Sequence, residues 1–286
     1  MTAIPKVSTI IPCFNDWEHT QLSLSALKKS NYTNLSIIVV DDGSADSTSS
    51  NIARDFSDVQ VIKGDGNLWW SGAMNIGIQT AIKNNTDYVL VLNNDVMVSI
   101  DTISELVLCA QSNPDAIIGS LVYDIKYPAT IWSAGGYLKW PWPGEIQNGV
   151  GEADEGQYNG IRKVDWSPGM GTLIHRDILV KLNSYDACNM PQYIADVDFC
   201  LRAGKAGHET LITSKSKIYN HLDNTGGLKK TGRMTWLQFK SIFNSFRSPE
   251  YFKARSTFIL RHCPWYWLVP AFAIRYLRLM IYSIRA

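Results

Sequence analysis

The stretch Thr86-Asp87-Tyr88-Val89-Leu90-Val91-Leu92-Asn93-Asn94-Asp95-Val96 decides the fold. Residues 88–92 form an unbroken apolar run of strand length, the pattern of a strand buried on both faces of a sheet. The run stops at Asn93-Asn94-Asp95, so a carboxylate is set at the carboxyl edge of the sheet. Open α/β sheets bind their ligands at that edge. Asn and Asp also make plain turns by bonding their own backbone. The stretch alone leaves a turn and a ligand site equally open, and the flanking sequence has to separate them.

On the N-terminal side, residues 7–12 read as a buried strand ending in Pro12-Cys13-Phe14-Asn15. A helix is expected over 16–29, with Asp16 as its N-cap and Leu22 and Ala26 on one face. A strand at 35–40 stops at Asp41-Asp42-Gly43-Ser44, and a helix over 46–56, a strand at 59–62 and a helix over 72–83 follow. Strands alternating with helices of this length imply βαβ units and a parallel sheet. Right-handed crossovers then bring Pro12-Cys13-Phe14, Asp41-Asp42 and Asn93-Asn94-Asp95 to one sheet edge. Neither a Gly-x-Gly-x-x-Gly turn after the first strand nor a Gly-Lys-Ser/Thr phosphate loop is present, which weakens dehydrogenase and phosphate-hydrolase readings.

Beyond residue 100 the alternation loosens. A helix is expected over 101–113, strands at 116–122, 131–138 and 172–175, and a helix over 194–206. Asp196 stands on the buried side of that last helix near its N-terminus, while Asp198 points elsewhere. A strand at 217–220 leads to His221 and a polar, glycine-containing loop.

Composition narrows the classes. The net charge of +1 over 286 residues gives no basic field for nucleic acid. Five scattered cysteines, with no Cys-x-x-Cys pair, argue against a disulfide framework or a zinc site and for a reducing compartment. The first residues read as a strand and not as a signal peptide.

In this order the motifs resemble the family 2 glycosyltransferases of the GT-A fold, and among them the bacterial rhamnosyltransferase-like members. The resemblance rests on residues 7–15, 39–48, 72–77, 92–95, 165–169 and 196–202 with His221, and covers residues 5–262. It implies an α/β, Rossmann-like, mostly parallel sheet flanked by helices over residues 1–232. The nucleotide half would span 1–100 and the acceptor half 101–232, with a helical, basic and aromatic C-terminal appendage over 233–286.

The implied activity is inverting transfer of a sugar, rhamnose in the nearest relatives of this type. The donor is a dTDP- or UDP-sugar, and the acceptor a hydroxyl of a lipid-linked bacterial surface glycan such as O-antigen or capsule. Asp95 ends the family's Asp-x-Asp motif, in which Asn93 here replaces the first acid. With His221 it would hold Mn2+ or Mg2+, a charge that lowers the barrier to expelling a diphosphate. Asp41 matches the carboxylate that accepts a pyrimidine N–H, Asp42 and Asn94 stand beside it, and Pro12 and Phe14 would border the base. Gly72, expected at a helix start, would let backbone N–H groups approach the diphosphate. Asp196 matches the general base; Ala195 stands where relatives often carry a further acid. Asp198 is the reserve, and Trp69, Trp70, Trp132 and Trp166 are candidate sugar-stacking residues. A UDP-hexose transferase and a non-catalytic nucleotide-sugar or glycan-binding protein are the alternatives. A nucleotidyltransferase would need a Gly-rich basic loop that is missing.

From Arg247 onward there are seven Lys/Arg against one acid, Glu250. Residues 265–284 are apolar and aromatic but interrupted by Pro270, Arg275 and Arg278, short of the roughly 20 apolar residues a bilayer span needs. Arg275, Arg278 and Arg285 share a helical face beside Ile274, Leu277, Ile281 and Ile284, a pattern suited to an anionic membrane surface. The expectation is a cytoplasmic protein, peripheral on the inner face of the plasma membrane. A helix packed on the catalytic domain or in a homodimer is the competing use of the tail.

Overall fold

The computed structural model describes residues 4–142, 144–222 and 241–285. The boundary expected between residues 232 and 233 lies outside them, as do the side chains of Ile281, Ile284 and Arg285. The deciding stretch is strand β4 (Tyr88–Val91), buried along its whole length. It lies parallel to β1 (Val7–Cys13), which is parallel to β2 (Leu35–Asp41), itself parallel to β3 (Gln60–Lys63). The order β3-β2-β1 followed by β4 puts the reversal of winding between β1 and β4, the place where such sheets open a crevice.

The helices between these strands are α1 (Trp17–Lys28), α2 (Thr48–Asp55) and α3 (Trp69–Lys83). Asp16 caps α1 as expected, but its buried face is Thr20, Ser23, Leu24, Ala26 and Leu27, and Leu22 is 45% exposed. Helix α3 begins at Trp69, three residues earlier than its sequence predicts, because tertiary contacts satisfy its first N–H groups. It lies so close to the sheet that a Cβ on Gly77 would stand 2.3 Å from Ile10 Cγ2 and 3.3 Å from Val40 Cγ2.

Past β4 the sheet is mixed. Strand β5 (Val96–Val98) and helix α4 (Thr102–Ser112) lead to β6 (Ile117–Asp124), every residue of which is buried. Strand β7 (Ile131–Ser133) pairs with β6. Then β8 (Gly136–Lys139) and β9 (Gly144–Gln147) form a separate hairpin, and β10 (Ile161–Val164) rejoins the sheet. Strand β11 (Thr172–His175) lies antiparallel between β4 and β6. After α5 (Arg176–Lys181) and α6 (Ala195–Lys205) comes β12 (Thr210–Asn220), parallel to β6 with a break in register between Thr213 and Lys217. The run Thr213-Ser214-Lys215-Ser216 hides the first half of β12 from a search for apolar strands.

The C-terminal part consists of α7 (Phe252–His262), a short 3-10 turn and α8 (Leu268–Arg285). It is riveted to the rest of the molecule by ion pairs. Arg261 reaches Asp198 and Asp186, both at 2.8 Å, His262 reaches Asp198 at 2.8 Å, and Arg255 pairs with Glu145. Arg275, expected on a membrane-facing stripe, is instead 7% exposed. It binds Glu250 through two nitrogens at 2.8 and 2.9 Å and lies over the Trp142 ring. The reason is electrostatic: a guanidinium can be buried when a carboxylate meets it fork to fork. Among the described residues no helix is long and apolar enough to cross a membrane.

Gly77→Val is expected to destabilise the fold by about 2–3 kcal/mol, since the added methyl groups overpack the α3–sheet contact. Urea denaturation checks it; an unchanged midpoint would mean that α3 moves away from the sheet without cost.

Candidate active site

A crevice of about 590 Å³ opens at the β1–β4 switch point. Its walls include Pro12 and Phe14 after β1, Asp42 after β2, Asn93, Asn94 and Asp95 after β4, and Trp70 from the start of α3. Trp69, one of the expected sugar-stacking residues, also lines it, as do Asp16, Met170, Gln192, Tyr193, Asn220 and Arg247, which no motif marks for the site. Three non-glycine residues at the crevice rim hold left-handed backbone, Asn15 (φ 50°), Trp69 (φ 55°) and Ile194 (φ 66°). Such conformations cost on the order of 1–3 kcal/mol each and gather at functional sites. Ile194, being β-branched, is the most strained of the three.

Asp42 organises the crevice wall. Its Oδ1 accepts the N–H of Gly66 at 3.0 Å and of Leu68 at 3.2 Å, and its Oδ2 accepts that of Trp69 at 3.0 Å. The carboxylate thus caps α3 from another strand, where the positive end of the helix favours it. Gly64 leaves the room for this, since a Cβ there would stand 2.6 Å from Asp42 Oδ1. The next N–H groups of α3 are taken as well: Trp70 donates to Gln192 Oε1 at 3.1 Å and Ser71 to the Pro191 carbonyl at 2.8 Å. Gly72 donates to the Leu68 carbonyl at 3.1 Å. This corrects the expectation for Gly72, whose N–H is spent inside the helix and cannot face a diphosphate.

Asp41 is buried and turned inward. One oxygen accepts the Ser44 N–H at 3.0 Å, the other the Ser49 hydroxyl, and its side chain does not join the crevice wall. Asn94 donates to Asp16 Oδ2 at 3.0 Å and Thr20 Oγ1 at 3.2 Å, tying β4 to the cap of α1. Trp70 donates its indole N–H to Asn93 Oδ1 at 2.9 Å and lies edge-on to Tyr185.

Asp95 is different from its neighbours. Its Oδ1 is buried and has no hydrogen-bond partner among the described residues. Burial pushes its carboxyl up to about 6; its own backbone N–H and His19 oppose the rise, and Asp16 adds to it. Asn220, fully buried at the end of β12, has neither amide atom partnered among the described residues. His221 follows it and donates its N–H to the Asp95 carbonyl at 3.1 Å, while its ring meets that of His19 edge-on. Leaving a buried polar atom unpaired costs about 1–3 kcal/mol, so three at one crevice mark a place built for a ligand. Among the described residues no three or more His, Cys, Asp or Glu side chains cluster as a complete metal cage. The orphaned oxygen of Asp95 beside an imidazole nonetheless fits part of a divalent-cation site, the remainder being left to a ligand or water.

Asp196 lies in the first turn of α6, directly after the strained Ile194. Its Oδ2 accepts the Gly169 N–H at 2.7 Å and its Oδ1 the Val197 N–H at 2.9 Å. Burial raises its pKa above the ordinary carboxylate range, against these hydrogen bonds and with a smaller push from Glu145. A Cβ on Gly169 would press within 2.6 Å of Trp70 and 3.3 Å of Asp196 Cβ, so the carboxylate stands just behind the crevice wall.

Three expected sugar contacts are elsewhere. Asp198 is fully buried and held by Arg202, Arg261 and His262; those partners outweigh burial and bring its pKa down to about 2. A carboxylate so bound takes no proton at neutral pH, which removes it as a reserve base. Trp166 is 5% exposed and covers Gly136, and Trp132 packs on the main core. Both are aromatic because a core needs volume there.

The fold, the crevice at the switch point and the orphaned carboxylate define an α/β protein with a ligand-binding site at the carboxyl edge of its sheet. A profile of glycosyl transferase family 2 matches residues 8–169, and the chain belongs to that family. Among solved structures it is similar to the crystal structure of GalNAc-T7 with UDP, GalNAc and Mn2+, at a TM-score of 0.64 and 16% identity. The match covers 79% of this chain and 46% of that one, so this chain matches less than half the length of GalNAc-T7, and the fold is GT-A. No curated protein matches the sequence.

With its pKa raised from 3.8 to about 6, keeping Asp95 ionised in the ligand-free fold costs on the order of 3 kcal/mol. The penalty is full above pH 6 and vanishes below the unfolded value, where the carboxyl is protonated in both states. Asp95→Asn is therefore expected to raise the melting temperature at pH 7.5 and to leave it unchanged near pH 3.5. Calorimetry at the two pH values checks both parts.

Proposed function

We propose that the chain transfers a sugar, rhamnose foremost, from a dTDP- or UDP-sugar to a hydroxyl of a lipid-linked surface glycan, with inversion. The observation that carries the reading is the meeting, at one crevice, of buried atoms of Asp95 and Asn220 that have no partner among the described residues, with Asp196 just behind the wall. Pro12 and Phe14 border the nucleoside, Asp42 and Asn94 shape its floor, Asp41 supports that floor from behind, and Trp70 stands beside the sugar.

Asp95 and His221 would hold a divalent cation, Mn2+ or Mg2+, whose charge stabilises the departing diphosphate. Asp196 keeps lone pairs on both oxygens after its two N–H bonds. It accepts the acceptor hydroxyl proton as that oxygen bonds to the anomeric carbon, and the bond from that carbon to the diphosphate oxygen breaks with its electron pair. The raised pKa of Asp196, caused by its burial, makes it a stronger base than a solvated carboxylate.

Asp196→Asn is expected to lower kcat at least 10³-fold while the donor dissociation constant stays within twofold. In the parent enzyme kcat rises with pH through the Asp196 pKa, so the acid limb lies above the ordinary carboxylate range. A screen of UDP- and dTDP-sugars with manganese, scored by product formation, checks the reading. Sugar-nucleotide binding without turnover in the parent chain would instead favour a binding protein.

The same reading includes a cytoplasmic protein lying on the inner membrane surface, where a lipid-linked acceptor resides. It is supported by the turn between α7 and α8 and the first residues of α8, which expose Trp265 (82%), Tyr266 (60%) and Val269 (79%) to solvent. Aromatic side chains of this kind favour the headgroup boundary. Trp265→Ser with Val269→Ser is expected to weaken co-sedimentation with phosphatidylglycerol vesicles at least fivefold. Unchanged sedimentation, with mass falling from dimer to monomer on ultracentrifugation, would assign the patch to a homodimer.

A further inference from the structure

The charged side chains among the described residues lining the crevice are Asp16, Asp42, Asp95 and Arg247. A nucleoside diphosphate brings more negative charge to this acidic set. The usual backbone answer, a helix N-terminus offering free N–H groups, is closed here, since α3 spends those of Trp69, Trp70, Ser71 and Gly72 on protein acceptors. Beside the divalent cation proposed at Asp95, a side-chain cation is the remaining means, among the described residues, of meeting that charge.

Arg247 is the one cation of that lining. Arg202, Arg255, Arg261 and Arg275 are each paired with a carboxylate; the Arg247 guanidinium makes no ion pair among the described residues, and it is exposed. Its backbone, by contrast, is fixed. The Arg247 N–H donates to Ser245 Oγ at 3.2 Å, and the preceding Phe246 ring packs edge-on against Trp69 (5.2 Å) and Tyr251 (4.9 Å). Ser248 is buried, and the Pro249 carbonyl accepts Arg255 Nε at 2.6 Å. The C-terminal segment thus stations an unpaired guanidinium at the crevice by way of the same Trp69 that Asp42 holds.

We propose that Arg247 grips the diphosphate of the donor, so that the C-terminal segment completes the donor site. The inference rests on the donor reading above. A planar guanidinium offers paired N–H donors that match phosphate oxygens, which an ammonium cannot reproduce.

The test uses the full chain with MnCl2, titrated calorimetrically with UDP and dTDP, and ligand-observed NMR with uridine and thymidine. Arg247→Met is expected to weaken the bound diphosphate at least tenfold and to leave nucleoside affinity within twofold. Arg247→Lys should fall between Arg247→Met and the parent chain, and the salt dependence of diphosphate binding should flatten in Arg247→Met. Diphosphate affinity within twofold of the parent overturns the assignment. So does an equal loss for nucleoside and diphosphate, which would make Arg247 a wall residue. If the parent chain binds neither UDP nor dTDP, the donor reading falls and this assignment with it.

Discussion

The Asp42 carboxylate, accepting three backbone N–H groups from Gly66, Leu68 and Trp69, is the interaction on which the crevice depends. It joins the end of β2 to the start of α3 and fixes the point at which the chain turns into the helix. Trp69 and Trp70 take their positions from it. Trp70 then sets the distance between Asn93 on one side and the Gly169–Asp196 pair on the other. Charge-assisted bonds to backbone N–H groups are strong enough to hold a residue such as Trp69 in left-handed backbone.

A second cluster does the corresponding work around α6. Asp198 gathers Arg202, Arg261 and His262, while Arg202 also donates to the Leu182 and Ser184 carbonyls at 2.7 Å. Arg261 adds Asp186, so α6, the loop ahead of it and α7 are tied into one body. Removing one partner from such a buried group leaves an uncompensated charge, which typically costs about 3–5 kcal/mol. The C-terminal segment is therefore joined to the sheet-bearing part by the ion pairs of Arg255 and Arg261, and Arg275 braces it from within through Glu250.

The two clusters share a design. Groups with complete hydrogen bonding, Asp41, Asp42 and Asp198, hold elements in place, while groups left incomplete, Asp95 and Asn220, face the crevice. Burial penalises the second kind in the absence of ligand, and that penalty is what a bound ligand relieves.

The parallel half of the sheet was legible in the sequence because apolar runs such as residues 88–92 alternate with helix-length amphipathic segments, and each strand ends in turn-forming polar residues. The ends of β1, β2 and β4 followed from handedness alone. What the sequence could not reveal was direction and partnership across long separations. Asp41 and Asp42 are adjacent, yet one turns inward to Ser44 and Ser49 and the other caps a helix about 26 residues on. Asp196 and Asp198 differ by two positions, and only packing against α7 gives the second to an ion-pair network. Asn220 and Arg247 carry no motif, and Trp70 and Trp166 are the same residue type. The tertiary structure separated wall from core, because burial and hydrogen-bond completion are properties of the assembled neighbourhood and not of the local chain.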